Sequence, residues 1–163
     1  MSATTRRGAL GRALLGLGGL VGLGAAGEAR ARSLETLVLH ARDVVADIPD
    51  GRAMPMRGDR LTLRAELLHR PGGRAVGELH GASFALRGPG AHASDTERLE
   101  LHTFKLRDGT IIGSGTSGAL EGEFAILGGT GRYAGARGTY VARQSRHELG
   151  GDGTAEFRFT LTA

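Results

Sequence analysis

Residues Glu121 to Val141 read E-G-E-F-A-I-L-G-G-T-G-R-Y-A-G-A-R-G-T-Y-V. The first seven suit a half-buried strand, and Gly128-Gly129-Thr130-Gly131 then forms a glycine-dense connection in which positive φ angles carry little cost. The returning segment from Ala136 to Val141 reads as another strand, whose small residues permit close backbone approach. Gly129-Thr130-Gly131-Arg132-Tyr133-Ala134 superficially suggests a nucleotide fingerprint. A dinucleotide site, however, needs a helix whose N-terminus meets the pyrophosphate, and the residues that follow are strand-like.

The same pattern extends in both directions. Short alternating runs predict strands over Glu35–Val45, Arg60–Leu68, Arg74–Leu86, Arg98–Leu106, Thr110–Ser117, Glu121–Leu127, Gly138–Gln144 and Glu156–Thr162. Turn residues separate them: Pro49-Asp50-Gly51, Arg70-Pro71-Gly72-Gly73, Gly88-Pro89-Gly90, Asp108-Gly109, the Gly128–Gly131 run and Gly150-Gly151-Asp152-Gly153. No segment has the period of a long amphipathic helix. Eight strands with tight connections predict an all-β fold, an antiparallel up-and-down β-barrel of calycin-like type, because closure removes exposed sheet edges.

Alternation shows which residues share a face. In the second strand Leu61, Leu63, Ala65 and Leu67 oppose Thr62, Arg64 and Glu66, and in the last Phe157, Phe159 and Leu161 oppose Glu156, Arg158 and Thr160. In the first, Val38, His40 and Arg42 oppose Leu37, Leu39, Ala41 and Asp43. Periodicity leaves open which face lines the lumen.

The N-terminus carries a different signal. Arg6-Arg7 precedes a run from Ala9 to Gly27 of Ala, Leu, Gly and Val broken only by Arg12, and Ala29-Arg30-Ala31 supplies an A-x-A exit. These are the parts of a cleavable export leader of twin-arginine type over residues 1–31, with the barrel occupying 34–163. The span after Arg12 is shorter than the ~20 residues of a membrane helix, so no stable membrane span is expected after cleavage. Removing residues 1–31 takes away four of 21 basic residues and one of 17 acidic residues, leaving 17 and 16, a net charge of +1. Such evenly mixed charge argues against a nucleic-acid partner. With no cysteine, an exported barrel stands on its core without disulfides, and thiolate catalysis and cysteine-ligated zinc are excluded.

The run Phe124–Gly138 resembles the glycine-rich segment shared by plant dirigent proteins, allene oxide cyclases and their bacterial relatives. The likeness extends to Gly58-Asp59, to Gly81-Ala82-Ser83-Phe84-Ala85-Leu86, to Glu97-Arg98-Leu99-Glu100 and to Asp108-Gly109-Thr110 before Gly113-Ser114-Gly115. It implies an eight-stranded barrel, often a homotrimer, that holds a hydrophobic small molecule in its lumen and guides cyclisation or radical coupling without a cofactor.

The resemblance also directs attention to particular residues. Allene oxide cyclases carry a Glu and an Asn two apart on the first strand. His40 and Arg42 occupy the matching positions here, and Ser83 stands where the cyclases have a cysteine, so allene oxide cyclase activity itself is not expected. If His40 and Arg42 face the lumen they form a catalytic pair, an imidazole to move a proton and a guanidinium to stabilise developing negative charge. Glu66, Glu78 and Glu100 are mid-strand carboxylates able to act as acid or base if buried. Glu66 is the third catalytic candidate, and Ser83, Glu100 and Tyr133 are the ligand-binding candidates, Tyr133 by anchoring the glycine loop or capping the mouth. A metal site of His40, His80 and His102 would require three strands to converge with no supporting spacing motif, and no metal is expected.

Three functions remain open on sequence grounds: a cofactor-independent cyclase or stereochemical guide, a non-catalytic carrier, and a structural barrel filled by its own side chains. An eight-stranded interior can be either packed or hollow.

Overall fold

In a computed structural model the described residues are 34–47, 56–87, 97–145, 147 and 151–162. Eight strands follow one another: β1 (Leu34–Asp47), β2 (Arg60–Leu68), β3 (Ala75–Ala85), β4 (Arg98–Leu106), β5 (Gly109–Ser117), β6 (Glu121–Gly131), β7 (Arg137–Ser145) and β8 (Thr154–Thr162). Each pairs antiparallel with its sequence neighbour, and β1 pairs with β8 to close the barrel. The expected leader, the Pro49-Asp50-Gly51 turn and the Gly88-Pro89-Gly90 turn lie outside the described residues. Among the described residues no helix is long and apolar enough to cross a membrane.

The strands begin and end close to where alternation places them, because most inward side chains are apolar or small and most outward ones polar. The glycine run differs. Gly128–Gly131 continues β6 and pairs with Ile112–Gly109, so the chain reverses later, over residues 132–136. Leu127 is the extra residue opposite the Ile112/Gly113 step; its side chain is outward by alternation, and the bulge shifts the phase of the residues that follow, so that Gly128 pairs with Ile112. Gly131, at φ 60°, begins the reversal, and a Cβ there would meet the Asp108 carbonyl.

A second bulge changes the reading of β1. Arg42 pairs with Glu66 but Val45 pairs with Arg64, so β1 carries one extra residue, and Asp43 takes the left-handed conformation at φ 55°. Val44 then donates its N–H to the Gly153 carbonyl at 3.0 Å. Leu39 and Ala41 point inward before the bulge, whereas Val44 packs against the core after it. The period-two assignment of Asp43 to the face of Leu39 and Ala41 is therefore corrected: its side chain is exposed.

The lumen is filled with side chains along much of its length. Phe104 meets Tyr140, Phe157 and Phe159 edge-on at centroid distances of 5.3, 4.9 and 4.9 Å, and Tyr140 stacks on Phe124 at 4.8 Å. Edge-to-face and stacked contacts of this kind add to the burial of these rings. The barrel has two unlike ends. The near end, where β2, β4, β6 and β8 finish, carries the hairpins at 69–74, 107–108 and 132–136, while β1, β3, β5 and β7 finish at the far end.

Candidate functional site

Four inward positions of β4 are Arg98, Glu100, His102 and Phe104, all buried. On β7, two strands beyond β5 and on the opposite side of the lumen, Tyr140, Ala142 and Gln144 point inward. Strand alternation alone puts these sets on their faces, and barrel closure brings them together.

The polar atoms then form a chain. Nε2 of His102 lies 3.2 Å from Oε2 of Glu100, and Nδ1 of His102 lies 2.9 Å from the Tyr140 hydroxyl. Gln144 donates its side-chain N–H to the same Oε2 over a longer 3.4 Å. With Glu100 ionised, Nε2 carries the imidazole hydrogen and donates it to the carboxylate, so Nδ1 accepts from the phenol. Burial raises the Tyr140 phenol above its ordinary value, and the neighbouring Glu100 charge adds to the rise. The phenol therefore keeps its proton at neutral pH and serves as a donor.

Glycines make room for this arrangement. Gly113 faces inward on β5, where a Cβ would strike the Tyr140 ring and lie 2.9 Å from both its hydroxyl and the Ala125 carbonyl. Gly81 has His102 at its side, with Cδ2 3.1 Å from where a Cβ would stand. The imidazole is also held by rings, Phe124 at 4.9 Å and Phe104 and Phe157 both at 5.9 Å.

The sequence candidates separate by wall face. Ser83 and Glu100 are inside and fully buried. His40, Arg42 and Glu66 are outside, so the lumen-facing condition set for the first-strand pair is not met: β1 turns Leu39 and Ala41 inward. Arg42 binds the Glu66 carboxylate at 2.6 Å on the exposed surface, and His40 sits 3.9 Å from Glu156. Both line a groove of about 550 Å³ together with the outward Glu121, Arg143 and Glu156 and the inward Ala41, Gln144 and Ala155. Glu78 and His80 are outward too, 3.1 Å apart, so His40 and His80 stand on the opposite side of the wall from His102.

Tyr133 lies at the near end, belongs to the apolar core and lines a pocket of about 370 Å³ with Leu37, Val76 and Leu106. Beside it Arg132 pairs with Glu35 at 2.7 Å and Asp108 at 3.6 Å, and the Tyr133 phenol is raised by burial and by the Asp108 charge. Sequence reasoning missed Tyr140 and Gln144, and weighed His102 only as a metal ligand. The i, i+2 spacing of Glu100 and His102 was a visible signal for their shared face. The meeting with β7 had none, since those strands are not neighbours.

Neither a comparison with protein-family models nor one with curated proteins finds a match. Solved structures do match the fold. Pyocyanin demethylase is 21% identical at a TM-score of 0.62, over 78% of this chain and 100% of that one. The pterocarpan synthase dirigent protein PsPTS1 is 19% identical at a TM-score of 0.64, over 80% and 95%. The Diels-Alderase AbmU from Streptomyces koyangensis is 16% identical at a TM-score of 0.57, over 83% and 71%. At these identities the likeness carries the fold, a dirigent-like barrel.

Proposed function

We infer that this chain, a dirigent-like barrel by its fold, is an exported cofactor-independent cyclase or stereochemical guide for a hydrophobic small molecule held in the lumen. One observation carries the reading: Glu100, His102 and Tyr140 form a connected, fully buried proton relay inside the barrel. An isolated buried carboxylate is costly, so a connected one is a candidate for chemistry.

The chemistry needs no net change in protons. Tyr140 takes a proton from the bound molecule as it passes its own to Nδ1 of His102, and Glu100 stabilises the imidazolium. The proton then returns by the same route to another atom of the molecule, which gives an isomerised or cyclised product of the same composition. The aromatic walls supply the remainder, holding a flexible molecule in one near-attack shape. Dirigent and Diels-Alderase barrels among the structural neighbours support a cyclase or stereochemical guide for the fold.

A second reading rests on the aromatic packing of Phe104, Tyr140, Phe157 and Phe159, which favours a structural barrel or a carrier with a small far-end site. Native mass spectrometry of the exported protein separates them. A retained hydrophobic molecule supports the enzyme or carrier; none retained, and none bound from a panel of hydrophobic compounds, supports the structural barrel.

Export and assembly belong to the same proposal. N-terminal sequencing of secreted material should begin at Arg32, and a retained Met1 would contradict the leader. Exposed Phe84, Leu86, Leu99 and Leu101 on or beside the outer faces of β3 and β4 support a homotrimer. Sedimentation of the mature chain as a monomer would contradict it.

A further inference from the structure

The geometry points to Ser83 and Ser117 as paired anchors for two oxygen functions of an uncharged hydrophobic ligand in the far half of the lumen, an inference that rests on reading the lumen as a ligand site. Both side chains face inward and are buried, at 0% and 4% exposure, and neither hydroxyl has a hydrogen-bond partner. Buried hydroxyls are paired in the great majority of proteins, because an unpaired one forfeits its bonds to water without replacement. Two in one barrel, a few residues from the relay, mark a place that something else completes.

Their positions define what fits. Ser83 is in register with Glu100 on one side of β4, and Ser117 is in register with Arg98 on the other. The hydroxyls therefore flank β4, two strand spacings apart and offset by two residues along it, about 12 Å on a flat sheet before the curvature of the wall brings inward side chains together. Four surrounding inner positions are small, Ala85, Gly115, Gly122 and Ala142, and the Phe124 ring lies over the two glycines. A Cβ at Gly122 would meet that of Ser117 at 2.6 Å, so this glycine permits the serine to sit where it does. Arg98 and Glu100 carry opposite charges on the stretch of β4 between the serines, so the wall has no net charge to recruit an ion. A serine hydroxyl both donates and accepts, which suits hydroxyl, carbonyl or ether oxygens on an apolar skeleton.

The test uses the mature full chain, Ser83→Ala, Ser117→Ala and the double variant. Without added ligand, removing an unpaired hydroxyl should leave the melting temperature unchanged or slightly raised. A fall of more than about 4 °C in the double variant would show that the hydroxyls are paired within the folded protein or through a structural water, and would overturn the inference. Binding is then read by the fluorescence of naphthalene, 2-naphthol and 2,6-dihydroxynaphthalene, which share one skeleton and differ in oxygens. The wild type should prefer the diol to naphthalene by about tenfold or more, and the double variant should lose that preference. A preference that survives in the double variant, or binding by the wild type without preference, overturns this inference alone. If none of the three binds the wild type, the lumen reading falls and takes the inference with it.

Discussion

The hydroxyl of Tyr140 stands 2.9 Å from Nδ1 of His102 across the lumen, joining two strands that share no backbone hydrogen bonds. The contact lies in the barrel interior, where each polar atom must be matched by another because water is excluded. It also fixes the imidazole so that its other nitrogen faces Glu100.

Tyr140→Phe keeps the ring against Phe124 and Phe159 but strips Nδ1 of its partner. A loss of about 1–3 kcal/mol is expected for leaving one buried polar atom unsatisfied, measured by denaturant unfolding. Tyr140→Ala, which also removes the ring, should cost more, about 3–5 kcal/mol. Equal stability of the Phe variant and the wild type would show that the bond contributes nothing.

Both tyrosines of the chain, Tyr133 and Tyr140, have phenols raised above the ordinary 10.0. The unfolded chain releases these protons near pH 10 while the folded chain keeps them. The folded state then binds more protons, so stability is complete below pH 10 and declines as pH rises above it. For Tyr140 the slope is about 1.4 kcal/mol per pH unit. Absorbance at 295 nm should show little phenolate until the barrel unfolds, and then a cooperative rise. A smooth titration centred at pH 10 with the barrel intact would contradict the buried placement of Tyr140.

The barrel was legible because closure, strand number and turns follow from period-two runs such as Arg60–Leu68, whose observed limits are those expected. Bulges were not. Asp43 and Leu127 each add one residue to a strand, a choice set by the pairing partner rather than by local pattern, and each alters which residue faces inward. The site was half legible for the same reason. Glu100 and Ser83 could be placed on strands but not on a face, and the partners on β7 depend on how far the wall curves.

Gly113→Ala tests the side-chain-free position opposite Tyr140. The added carbon would meet the Tyr140 ring and lie 2.9 Å from the Ala125 carbonyl, so neither rotation nor a small shift relieves both. Overpacking of this kind costs about 1–3 kcal/mol, and thermal unfolding checks it. Gly118→Ala is the control, since its nearest neighbour would be 3.8 Å away. An equal effect at the two positions would remove the steric explanation.

His40→Ala and Arg42→Ala should leave ligand binding in the lumen unchanged, because both side chains are on the outer wall. Arg42→Ala removes an exposed pair with Glu66. Its cost in stability is expected to be about 0–1 kcal/mol. Loss of lumen binding in either variant, with the fold intact by circular dichroism, would return the groove beside His40 and Arg42 to consideration as the site.

The most direct measurement is single-turnover conversion of the molecule retained by the exported wild-type protein, followed by mass spectrometry for the wild type and for Tyr140→Phe. Circular dichroism and a melting curve must first establish that the variant is folded at the assay temperature. Proton transfer by a positioned side chain contributes about 10²–10⁴ in rate. The relay therefore predicts conversion by the wild type to a product of unchanged composition and at least about a hundredfold slower conversion by the variant. Conversion at equal rates would contradict it.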